Sequence, residues 1–172
     1  MVSSSISSLS LASGEFHDAE KICLTMPNLS SLDLSGTPTT NEDLRSLISI
    51  APSLSSLSLS ATLVSSLGIS DNIEFFQLLE DLRIGNLLIG PELSSSISSL
   101  TRLRTLDLSS TQFSELEFLM SLRALRTLLL SKAPISLSSF AYINTLPELE
   151  TLGLCETPLS DGTLVVLGPV LK

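Results

Sequence analysis

The motif Leu-x-x-Leu-x-Leu, with Ile replacing Leu at one end of two copies, occurs seven times along 172 residues. The copies are Ile6-x-x-Leu9-x-Leu11, Leu29-x-x-Leu32-x-Leu34, Leu54-x-x-Leu57-x-Leu59, Leu79-x-x-Leu82-x-Ile84, Leu103-x-x-Leu106-x-Leu108, Leu125-x-x-Leu128-x-Leu130 and Leu149-x-x-Leu152-x-Leu154. Successive copies start 23, 25, 25, 24, 22 and 24 residues apart. A near-constant period of this size marks a stacked-repeat chain, in which each unit buries its apolar edge only against its neighbours. Aromatic residues make up 4% of the chain against 43% hydrophobic overall, so the core is aliphatic. Side chains of similar size suit layers that must each present the same shape to the next.

The second copy shows how a unit is built. Ser31-Leu32-Asp33-Leu34-Ser35 alternates polar and apolar, the period of a strand with one buried face. Gly36-Thr37-Pro38 turns the chain, and Thr40 stands three residues before Asp43, a capping signal with either Thr40 or Asn41 as the cap. Leu44, Leu47, Ile48 and Ile50 follow at helical spacing until Pro52. Ser160-Asp161 before Leu164 and Leu167 reads as a second capped helix. Leu116, Phe118, Leu119 and Leu122 give the segment 113–122 a helix-compatible pattern. Ile89 to Leu93 followed by Ser94-Ser95-Ser96 is a poorer helix former, either 3₁₀ or irregular. Seven short strands side by side predict a parallel sheet with helices or turns behind it.

Seven in-register copies spanning nearly the whole chain resemble the leucine-rich-repeat family. The resemblance implies an α/β fold: a curved solenoid with its parallel sheet on the concave side and short helices or turns on the convex side. The family's ninth repeat position is usually Asn or Cys bonding backbone groups within the turn. The matching residues here are Gly14, Thr37, Thr62, Leu87, Thr111, Ala133 and Thr157. A Thr hydroxyl supplies part of that ladder; Leu87, Ala133 and Gly14 do not. Asn86 stands one place early, which predicts a distorted fourth turn. Threonine at this position is shared by several subtypes, including 22-residue and longer helix-backed kinds, so the subtype stays open. Residues 1–172 are read as one array of about seven repeats. Neither end carries a polar cap, and apolar Val170 and Leu171 stand next to the last residue, which points to a segment of a longer protein.

Asp and Glu number 18 against 9 Lys and Arg, a formal charge of −9. Nucleic-acid binding needs clustered cations to neutralise phosphates, and docking on anionic membranes needs the same sign, so both are excluded as expectations. A basic protein partner is allowed, although an acidic surface more often serves solubility. Cys23 and Cys155 lie in distant repeats beyond disulfide reach, and no terminal cysteine cluster appears, which points to an intracellular, cytoplasmic location. The triplet Asn28-Leu29-Ser30 matches a glycosylation acceptor, but Leu29 is a core position. No apolar run reaches the roughly 18–20 residues of a membrane span. Residues 1–14 lack a basic stretch and read as the first repeat rather than a signal peptide.

The resemblance implies that the concave sheet is the binding surface. Its outward positions are mostly serine in the first three repeats, and its charged residues are Asp33, Asp81, Arg83 and Asp107, with the aliphatic Leu129 beside them. These five are the candidate partner-binding residues. Strands about 4.8 Å apart make a sheet roughly 29 Å wide, matching a partner helix of about 20 residues. Phe16, Phe113, Phe118 and Phe140 fall at core positions, whereas Phe75, Phe76 and Tyr142 are placed to reach the convex surface. His17 is a lone histidine without co-ligands at metal-binding spacing. A triad would need it near a nucleophilic serine and an oriented acid, and with so many serines in the chain a chance pairing carries little weight. Gly85, Gly90 and Pro91 lack the Lys-Ser/Thr ending of a phosphate loop. Cys155 has no basic neighbour to activate it, and Cys23 between Ile22 and Leu24 reads as buried. The serine runs Ser3–Ser5 and Ser94–Ser96 are possible phosphorylation sites. The expectation is a protein-recognition scaffold or adaptor without catalysis, cofactor or small-molecule substrate. Its alternatives are the substrate-receptor part of a ubiquitin ligase, a surface-receptor ectodomain and a secreted effector.

Overall fold

A computed structural model describes residues 5–14, 21–22 and 25–168. Each leucine motif forms one three-residue strand: β1 (Ser8–Ser10), β2 (Ser31–Asp33), β3 (Ser56–Ser58), β4 (Asp81–Arg83), β5 (Thr105–Asp107), β6 (Thr127–Leu129) and β7 (Thr151–Gly153). They form a single parallel sheet in chain order. The middle leucines stand in one row, Leu9, Leu32, Leu57, Leu82, Leu106, Leu128 and Leu152, with no register slip between any pair. From β2 to β6 every leucine or isoleucine of the motif is buried. Each such side chain contributes about 1.5–3 kcal/mol by leaving water. Leu9 and Leu152, which have a strand on one side only, are half-buried.

The outer segments return the chain from one strand to the next. Five α-helices lie wholly among the described residues: α1 (Asn41–Ser46), α2 (Ser66–Asn72), α3 (Ser94–Ser98), α4 (Phe140–Ile143) and α5 (Asp161–Leu167). Thr40 caps α1: its hydroxyl accepts from the Asp43 N–H, and the Asp43 carboxylate accepts from the Thr40 N–H at 2.9 Å. Ser160 and Thr163 make the same reciprocal cap on α5. The serine-rich segment of repeat four is a 3₁₀ turn, Pro91–Leu93, continued by α3. The segment 113–122 departs from expectation. Only Glu117–Ser121 is helical, and as 3₁₀, in which three residues per turn bring the buried Leu116, Leu119 and Leu122 into one row while Met120 stays exposed. Strands lie about 4.8 Å apart while helices are about 10 Å wide. The stack therefore curves with the sheet inside.

Among the described residues, one in each repeat has a positive φ: Ser13, Gly36, Ala61, Asn86, Ser110, Lys132 and Glu156. Each stands two places after the last leucine of its motif, as the third residue of a four-residue turn, where Gly or Asn is the usual choice. Asn86 at φ 55° therefore occupies the common left-handed position, and Leu87 fills the core beside it. The fourth turn therefore shares the left-handed residue of the others, but it has neither a threonine hydroxyl bond nor a Leu87 N–H bond to the Ile84 carbonyl and is the least closed of the seven. Thr37, Thr62, Thr111 and Thr157 each donate a hydroxyl hydrogen bond to the carbonyl three residues back, at 2.6–2.7 Å. Gly14 and Ala133 close their turns through the backbone N–H alone.

Candidate functional site: the centre of the concave sheet

Strand register places Asp33, Ser58, Arg83, Asp107 and Leu129 in one row across β2 to β6. Asp81 stands two residues before Arg83 on β4, on the same face. Its carboxylate takes both ends of the guanidinium fork, from Nε and from Nη2, each at 3.1 Å. Arg83 thus pairs along its own strand rather than with Asp107 opposite. The hydrogen bond to Asp81 raises the Arg83 pKa, burial opposes it, and the charges of Asp81, Asp107 and Asp33 add to the rise.

Asp33 is held by serines. Its carboxylate accepts from the Ser35 N–H at 2.9 Å, the Ser35 hydroxyl at 2.6 Å and the Ser10 hydroxyl at 3.2 Å. Burial pushes its pKa up, but the Ser35 and Ser10 hydrogen bonds and the Arg83 charge outweigh that and leave it below the ordinary value. Asp107 repeats the local motif, accepting from the Ser109 N–H at 2.9 Å. Such Asp-x-Ser contacts stabilise a strand end by themselves. Together Asp33, Ser35, Ser58, Asp81, Arg83 and Asp107 bound a depression of 340 Å³. Leu129 stays outside it and leans over Gly153, where a Cβ would meet its Cδ2 at 2.8 Å. Four of the five candidate residues are thus brought together, and the fifth lies on the flank toward β7.

Two surface features lie outside those candidates. The residue after the first motif leucine carries charge in repeats four to seven. Glu80 meets Arg104 at 3.3 Å and Arg102 at 3.8 Å, and Arg126 meets Glu150 at 3.0 Å and Glu148 at 3.6 Å. All are exposed pairs of the kind worth under about 1 kcal/mol. Just beyond the strands' C-terminal ends, Leu63 is 67% and Leu88 90% exposed. They flank a notch of 320 Å³ between repeats three and four. The signal was in the sequence: Leu fills this position twice, where the other repeats from the second onward have Pro38, Gln112, Pro134 and Pro158.

On the convex side Phe75 is 44% exposed, but Phe76 is fully buried, correcting its expected surface position. The 3₁₀ turn Ile73–Phe75 directs successive side chains to different sides, so adjacent phenylalanines separate. Tyr142 is half-buried, and Phe113, Phe118 and Phe140 are core, the first two with ring centroids 5.5 Å apart. A convex groove of 470 Å³ lies between α3 and the Glu117–Ser121 turn, lined by Ser94, Ser95, Glu115, Glu117 and Met120. Cys155 is an exposed free thiol on the sheet side. Ser3, Ser4, Phe16, His17, Cys23, Leu24, Val170 and Leu171 lie outside the described residues. Among the described residues no group of three or more His, Cys, Asp or Glu is placed to hold a metal ion. No helix among them is long and apolar enough to cross a membrane.

One parallel strand per repeat, a turn closed by threonine in four repeats and helices on the outer side together define a leucine-rich-repeat solenoid. No protein-family model and no curated protein matches the chain. Solved structures do. An internalin of Listeria monocytogenes superposes with a TM-score of 0.73 at 22% identity, covering 95% of this chain and 46% of that one. Internalin C2 of the same organism gives 0.65 at 22% identity, over 95% and 78% of the two chains. The Arabidopsis receptor kinase HAESA, solved with a peptide hormone and a co-receptor, gives 0.63 at 22% identity over 95% and 29%. The chain therefore spans about half of the first internalin and under a third of the receptor kinase. At these identities the shared property is the fold.

Proposed function

We propose that this chain is a non-catalytic protein-recognition module that holds its partner on the concave sheet, with Asp33, Asp81, Arg83 and Asp107 at the contact and Leu129 at its margin. The observation carrying this reading is the convergence of three carboxylates from three strands around the exposed guanidinium of Arg83. A fixed charge pattern on a rigid sheet gives orientation and partner selection more than raw affinity. Arg is also the charged residue most enriched at binding hot spots. The exposed Cys155 thiol fits a reducing compartment and supports an intracellular scaffold or adaptor.

The test is capture of partners by the full-length protein with wild-type Arg83 or with Arg83→Glu. Because Arg83 is exposed, the variant should keep the wild-type circular dichroism spectrum and lose the partner at least 10-fold. Retention of every partner by the folded variant would move the site to the convex groove. A receptor-ectodomain reading draws on the HAESA likeness, since that structure contains a bound peptide hormone. Surface labelling of intact cells decides it: a labelled chain favours the ectodomain, an unlabelled one the intracellular adaptor. A ubiquitin-ligase receptor would instead bring ligase subunits down with the wild-type chain.

A further inference from the structure

Behind the sheet, the outer segments of repeats three to five carry charge of one sign. Residues 64–77, 89–100 and 113–122 include Asp71, Glu74, Glu92, Glu115 and Glu117 and no Lys or Arg. None of these five carboxylates is ion-paired among the described residues. The cations that follow the last two segments, Arg102 and Arg123, are engaged with Glu80 and with the Thr145 carbonyl. In the middle stands α3, where every residue except the buried Ile97 is serine, so the ridge it makes is low and polar. A groove runs along each side of it. The one toward the Ile73–Phe75 turn, of 390 Å³, is lined by the buried Ile73 and the exposed Glu74. The other is the 470 Å³ groove, where Glu117 stands with Phe118 and the half-exposed Met120.

Each groove pairs apolar surface with a carboxylate. The Glu74 and Glu117 carboxylates accept no hydrogen bond among the described residues, and Glu115 is held at the second groove by the Ser139 hydroxyl at 2.7 Å. Lys and Arg match such a groove, being apolar along the stem and cationic at the tip. Ser95 lines both grooves, so only the width of α3 separates them. Packed helices lie about 8–10 Å apart, which sets the distance between two cations that fill both grooves. A helix carries residues i and i+7 on one face about 10.5 Å apart. Same-face residues of an extended chain are about 6.6 or 13 Å apart and miss that distance. We infer that the convex face of repeats three to five docks a basic amphipathic helix of a partner protein, which lies across α3 and lays one Lys or Arg in each groove. This surface lies outside the concave-face reading, and neither depends on the other.

Labelled Ala/Gln peptides of about 18 residues, long enough to populate a helix, test it by fluorescence polarisation against the full chain. A peptide with Arg at i and i+7 should bind at least 10-fold more tightly than one with Arg at i and i+2, whose side chains leave on opposite faces. Glu74→Gln with Glu117→Gln should abolish that preference. Glu42→Gln with Asp161→Asn takes the same charge from the outer segments of repeats two and seven and should preserve it. Met120→Ser should weaken the i and i+7 peptide at least 3-fold without changing its salt dependence. No binding up to millimolar concentration, or equal binding of the two peptides, would overturn the inference. An equal loss from both charge pairs would also overturn it, since net acidity alone would then attract the peptide. So would loss of the peptide on Arg83→Glu, which would seat it on the concave sheet. The concave reading is judged separately: a natural partner lost by Arg83→Glu keeps that reading whatever the peptides do.

Discussion

Six residues other than glycine hold the left-handed turn position, although an L side chain there costs roughly 1–2 kcal/mol. Ala61 gains nothing in return, being exposed and without side-chain hydrogen bonding. Ala61→Gly should therefore raise stability by about 0.5–1 kcal/mol, the relieved strain less the extra freedom of glycine in the unfolded chain. Gly36→Ala should lower it, since Gly36 already has the preferred residue at φ 69°. Urea midpoints of the two variants should move in opposite directions. Thr111 is buried, and its hydroxyl donates to the Leu108 carbonyl at 2.6 Å. Thr111→Val keeps the shape and removes the donor, so it should cost about 1–2 kcal/mol in the same assay. The threonines were legible in the sequence because they recur at a fixed place in the repeat. The role of Asn86 was not, since a one-residue offset between two turn positions shows only when backbone angles are known.

Between elements, α1 and α2 are joined by a side-chain clamp. Asn41 donates to the Ser65 hydroxyl and accepts from the Ser65 N–H, both at 2.9 Å. The clamp needs Gly68, because a Cβ there would lie 2.0 Å from Asn41 Oδ1. Gly68→Ala should destabilise the array by about 1–3 kcal/mol through overpacking, despite the better helix propensity of alanine. Asn41→Ala removes the Oδ1 and Cγ but leaves its Cβ 3.0 Å from the added one, so it should relieve much of the Gly68→Ala cost, and thermal melts of the two single variants and the double variant should be non-additive. Strands were readable in place and register because alternation and a 22- to 25-residue period agree, although β2 is three residues long where the alternation runs from Ser31 to Ser35. Outer segments were not. Over ten residues, the spacing of Leu116, Leu119 and Leu122 does not separate a period of 3.6 from one of 3.0. Nor does the pair Phe75-Phe76 say which ring turns inward.

At the scale of the molecule, stability is a sum of nearest-neighbour contacts between repeats, so a fault in the middle severs the stack. Leu106 is fully buried in β5 between Leu82 and Leu128. Leu106→Asp should abolish cooperative melting in calorimetry, because burying an unpaired carboxylate there adds to a lost contribution of about 1.5–3 kcal/mol. The sequence located the charged residues of the concave face through register alone. It did not show that Arg83 would choose Asp81 over Asp107, since that depends on rotamers. The left-handed residues are spaced 23, 25, 25, 24, 22 and 24 apart, the same intervals as the leucine motifs. Every difference in repeat length therefore falls after the turn, on the outer side. Residues can be gained or lost behind the sheet while the rows of the inner face keep their alignment. The inner face behaves as a ruler whose graduations are insulated from insertions and deletions, free to change its letters one substitution at a time.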